Sequence, residues 1–132
     1  MAEQLTGEEL DARFFEVCWG VVAETREAIF YSLQPHWIMP NGSVIGECSD
    51  VSPSTDATDC EAWAMRWARE RHFHWSVGVL DSGGEYWAEL LRLDAEGEVA
   101  KEFRCYGTDY KQAFVRACVV AGETLNKSKG ET

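Results

Sequence analysis

Apolar residues recur first at helical and later at strand spacing along the chain. Leu10, Phe14, Val17 and Cys18 fall at i, i+4, i+7 and i+8, one face of a helix. Ahead of them Thr6 and Glu9 have capping-box spacing, acids crowd the first turn, and Gly20 supplies a left-handed stop. Cys60, Trp63, Ala64, Trp67 and Ala68 predict a second helix; Thr58 with Glu61 has capping-box spacing there, and Ser54, Thr55 or Asp56 could cap instead. Tyr110, Ala113, Phe114, Ala117, Cys118 and Ala121 predict a third helix, capped by Thr108 and ended by Gly122.

Between the last two helices the period changes to two. Phe73, Trp75, Val77 and Val79 alternate with His74, Ser76 and Gly78, and the runs 85–93 and 99–105 follow across Gly-containing turns. Trp87, Leu91 and Leu93 oppose Tyr86, Ala88 and Leu90, so the run 85–93 predicts a central strand covered on both faces. Earlier, Pro35 and Pro40 exclude a long helix, and strands are expected at 28–33, 36–39 and 43–46. The predicted class is α+β: an antiparallel sheet of four to five strands with three helices covering both faces. Residues 1–122 form the domain, and 123–132 read as a solvated tail.

Charge adds a second pattern. The 132 residues carry a net charge of −11, and no Lys or Arg occurs from residue 28 to 60. This balance argues against direct binding to nucleic-acid phosphates or to an anionic membrane surface. The chain has neither an apolar run of membrane-spanning length nor a signal-peptide pattern, and its five cysteines form no close pairs, so a reduced cytosolic protein is expected.

Candidate chemistry is sparse. No phosphate-cradling loop or cofactor motif is present. The possible general bases are His36, His72 and His74, none in a nucleophile signature. His72 and His74 share one side of a strand and could serve a metal-dependent hydrolase, but Cys48 and Cys60 stand too far apart for a zinc knuckle. Of the six tryptophans, Trp63, Trp67, Trp75 and Trp87 fit core-facing stripes. Trp37 has two readings: a half-exposed anchor ringed by acids, or a loop residue folded under the sheet. With Ile38 and Met39 it could also form a dimer patch.

The segment Ser52-Pro53-Ser54-Thr55-Asp56 before Ala62-Trp63, the opening Leu5-Thr6-Gly7-Glu8-Glu9-Leu10-Asp11 through Cys18-Trp19-Gly20, and Ala113, Arg116 and Ala117 resemble the phage ABA-sandwich domain family and its relatives among the Nin-region X proteins of lambdoid phages. The resemblance spans residues 5–122; this chain has more tryptophan and a longer acidic stretch before Ser54-Thr55-Asp56. It implies a sheet between helical layers and a phage or prophage origin, and it transfers no enzymatic residue.

The expectation is a non-enzymatic phage accessory protein that binds a host bacterial protein or protein–nucleic-acid complex, as an inhibitor of CRISPR-type defence does, by nucleic-acid mimicry. Glu3, Glu8, Glu9, Asp11, Glu47, Asp50, Asp56 and Asp59, with Trp37, are the candidate binding residues. The alternative is a nucleotide-signal sponge, with rings stacking a base and Arg66, Arg69, Arg71 or Arg104 on the phosphates.

Overall fold

The computed structural model describes residues 5–24, 34–80 and 84–130; Glu3 and the strand expected at 28–33 lie outside them. The architecture is α+β. Among the described residues, in place of one sheet of four to five strands there are two antiparallel sheets of three, each in simple sequence order. The smaller joins β1 (Val22–Glu24), β2 (His36–Ile38) and β3 (Val44–Glu47). The larger joins β4 (His74–Leu80), β5 (Glu85–Leu93) and β6 (Val99–Gly107), the predicted meander.

The first helix, α1 (Gly7–Phe14), runs without a break into a π-helical turn (Phe15–Trp19) that stops at Gly20, φ 68°. Gly7 enters at φ 53°, off the helical value that capping requires, and the Thr6 side chain makes no cap hydrogen bond. The second helix, α2, is continuous through Ala57–Asp59, a π-helical Cys60–Met65 and Arg66–Glu70. Asp56 caps it, its carboxylate accepting from Asp59 N at 2.9 Å. The two π-helical turns meet. Phe15 and Trp19 both reach the Trp63 ring, at 5.6 and 5.5 Å, and Trp19 Nε1 donates to the Trp63 carbonyl at 3.2 Å.

The third helix, α3 (Tyr110–Gly130), is capped by Asp109, which accepts from the amides of Lys111 and Gln112. It continues past Gly122, where the helix was expected to end, to Gly130. Gly122 serves close approach instead: a Cβ there would lie 2.7 Å from Val17 Cγ1 and 3.1 Å from Cys18 Sγ. Mid-helix glycine loses about 1 kcal/mol of helix propensity against alanine, which this contact offsets.

The layering reverses the expectation. Ala113, Phe114, Val115, Ala117, Cys118, Val119 and Ala121 are all fully buried, and between residues 112 and 123 only Gln112, Arg116, Val120 and Glu123 are partly open. A helix lies between a sheet and other helices, rather than a sheet between helices. One side of α3 packs on β4–β6, as in the 5.6 Å edge contact of Phe114 with Trp75; the other packs on α1 and α2. The opposite face of the large sheet is not covered by a described helix. On it Trp87 lies over Gly78, Arg104 lies 4.7 Å above the Trp87 ring, and Leu80, Leu93, Val99 and Tyr106 are exposed. The apolar character of β5's second face is met by these cross-strand contacts, not by a helix. Among the described residues, no helix is long and apolar enough to cross a membrane.

Candidate functional site

Asp11 and Asp59 converge where α1 meets the loop after β3. Asp11 lies on the apolar side of α1, three residues before Phe14 and seven before Cys18, and is only 1% exposed. Its carboxylate accepts from Ser54 N at 2.9 Å and from the Ser52 hydroxyl. Asp59, reaching back from α2, accepts from Ser52 N at 3.0 Å. One serine-rich segment is therefore clasped by carboxylates from two helices. Burial pushes the Asp11 carboxyl above the usual aspartate range, opposed by the Ser52 and Ser54 hydrogen bonds.

Around this clasp the predicted residues separate into two groups. Glu8, Glu9, Asp50 and Asp56 are exposed, and none has an ion-pair partner among the described residues. The charge of Glu8 reaches Cys48, placing the first turn of α1 beside the loop. Glu47 is half-buried, 3.9 Å from His36 Nε2. Asp11 and Asp59 are structural, not outward-facing. Trp37 is no surface anchor: it is 1% exposed, its ring lies 4.8 Å from Phe15, and its Nε1 donates to the Val51 carbonyl at 3.1 Å. Ile38 is buried as well, so the proposed dimer patch is part of the core.

The thiols are poor nucleophiles. All five are buried, and none forms a disulfide among the described residues. Burial pushes Cys48 up to about 11 and Cys60 up to about 12, and it raises Cys18 and Cys118 well above the ordinary thiol value. His36 Nδ1–H donates to the Gln34 carbonyl, 2.9 Å away, while His72 and His74 are exposed. Among the described residues, no three His, Cys, Asp or Glu side chains gather as metal ligands.

The cations of the nucleotide reading are dispersed over ring faces. Arg66 lies over Trp19, Arg69 over Trp75, Arg71 over Trp67 and Arg104 over Trp87, at 4.7–6.0 Å. Trp67 is also stacked on Phe73, so its face is occupied. These rings already hold guanidinium groups where a base would stack.

Sequence reasoning missed Ser52 and Ser54 as partners of Asp11. The signal was an acid inside an apolar helical stripe, where a buried charge must find donors. No protein-family model matches the chain, and no curated protein matches it.

Proposed function

We propose that this chain is a non-enzymatic binding protein of phage or prophage origin, acting in the bacterial cytosol through its acidic end on a host protein or protein–nucleic-acid complex. Inhibition of a defence complex by occupying a basic, nucleic-acid-binding groove is the function that fits best. The reading rests on one observation: Glu8 and Glu9 on α1 and Asp50 in the loop after β3 are exposed, with no ion-pair partner among the described residues. Unpaired carboxylates on a braced backbone present negative charge to a partner without first breaking internal salt bridges. The thiols of Cys18, Cys48, Cys60 and Cys118, raised by burial, support a role that makes no bonds.

The test is capture from bacterial lysate with the wild-type chain, identification by mass spectrometry, and titration of the purified partner. Replacing Glu8, Glu9 and Asp50 by Lys together is expected to weaken binding at least about tenfold, and raising salt to weaken the wild-type complex. Affinity indifferent to both salt and charge reversal overturns the mimicry mechanism.

A further inference from the structure

At the far end of α3, a cavity of about 260 Å³ opens between the first π-helical turn, α2, β5 and α3. Its apolar walls are Val17, Trp67 and Leu125, and its polar atoms come from Arg71, Arg92 and Asn126. The two arginines are held in place. Arg92 donates to the Arg71 carbonyl at 2.7 Å and lies 4.6 Å over the Phe73 ring, and Arg71 lies 5.4 Å over Trp67. Trp67 and Phe73 stack on each other, so both guanidinium groups are carried by one aromatic pair.

Neither arginine has a carboxylate partner among the described residues, although the chain carries 23 acids. Glu123, on the neighbouring turn, is committed to Arg13 at 2.7 Å. Asn126 uses its Nδ2 on the Val17 carbonyl at 3.1 Å. Two half-buried cations beside a hydrophobic wall repel each other unless an anion lies between them. The net charge of −11 disfavours anions at long range, so any attraction here is local.

We infer that this cavity binds a small organic oxyanion, a carboxylate or a phosphate monoester, whose head lies on Arg71 and Arg92 and whose apolar body lies against Val17 and Leu125. The guanidinium fork suits either head. The volume falls below the roughly 300–1,000 Å³ of drug-sized pockets, so the ligand is smaller than a dinucleotide. The occupied face of Trp67 excludes base stacking as the source of affinity.

Thermal-shift titration of the whole chain with hexanoate, phenyl phosphate, inorganic phosphate and uncharged hexanamide tests this. A concentration-dependent rise with hexanoate or phenyl phosphate is expected, with hexanamide inert; whichever anion binds identifies the head. The double variant Arg71→Gln with Arg92→Gln should weaken binding at least tenfold. Amide NMR shifts on the wild-type chain, which need no variant to fold, should centre on Val17, Gly122 and Asn126. No response to either organic anion, an equal response to hexanamide, inorganic phosphate binding as tightly as phenyl phosphate, unchanged affinity in a folded double variant, or shifts centred elsewhere each overturn the proposal.

Discussion

Trp37 and Trp87 each stand mid-strand in the central strand of a three-stranded antiparallel sheet, and each is paired with a glycine: Trp37 with Gly46, Trp87 with Gly78. Their roles are opposite. At Gly46 the space a side chain would fill belongs to Val51, whose carbonyl receives the Trp37 indole, and Trp37 turns inward onto Phe15. At Gly78 the indole of Trp87 fills that space itself, a Cβ there lying 2.6 Å from three of its atoms, and the ring stays on the outer face under Arg104. Glycine opposite tryptophan therefore marks a packing partner, but the layer behind the strand decides which way the ring points.

The largest expected effect tests the inward half of this contrast. Trp37→Ala removes a buried aromatic and its hydrogen bond, and should cost about 3–5 kcal/mol in denaturant unfolding. A loss below about 1 kcal/mol would place Trp37 on the surface, where the anchor reading had it.

Next comes the place where absence of a side chain joins the helices. Gly122→Val should cost about 2–3 kcal/mol, because the added methyls meet Val17 and Cys18 across α3. Combining it with Val17→Ala should recover a measurable part of that loss, a coupling readable in a double-mutant cycle. A helix-terminating glycine would show no such coupling.

Much of this was legible in the chain. The meander β4–β6 followed from period-two alternation and its turns, because each strand pairs with its sequence neighbour and local signals suffice. The end of the first helix was legible at Gly20 for the same reason. The division into two sheets was not, since three-residue strands such as Val22–Glu24 owe their existence to pairing rather than to propensity. Gly122 looked like a stop because a glycine at the end of an apolar stripe has that meaning unless another backbone lies against it. Of the candidate site, the acids were visible as composition; that Asp11 and Asp59 turn inward while Glu8 and Asp56 face out depends on where Ser52 and Ser54 are held.

The Asp11 clasp sharpens the contrast through charge. Asp11→Ala leaves the buried Ser54 amide without its acceptor and should cost about 1–3 kcal/mol. Asp11→Asn keeps an acceptor for Ser54 and removes the titration. The folded carboxyl binds its proton at higher pH than the unfolded one, so this group's contribution to stability rises as pH falls through the raised folded value and levels off below the ordinary value. Relative to wild type, Asp11→Asn should therefore fare best near neutrality and progressively worse toward acid, measured by thermal unfolding across pH. An opposite slope would mean that the native state favours the charged carboxylate.

The smallest effect belongs to the outward ring. Trp87→Ala should cost on the order of 1 kcal/mol, since it uncovers Gly78 and frees Arg104 without opening a core cavity. Gly78→Ala attacks the same contact from the other strand. Its Cβ would sit inside the indole, so the ring must lift and Arg104 must leave it, although Arg104 keeps its 3.1 Å ion pair with Glu89. The two substitutions remove one interaction and should be strongly non-additive, the double variant being little worse than the more damaging single one. Additive losses would mean that Trp87 and Gly78 contribute independently, and the contrast with Trp37 would then reduce to burial alone.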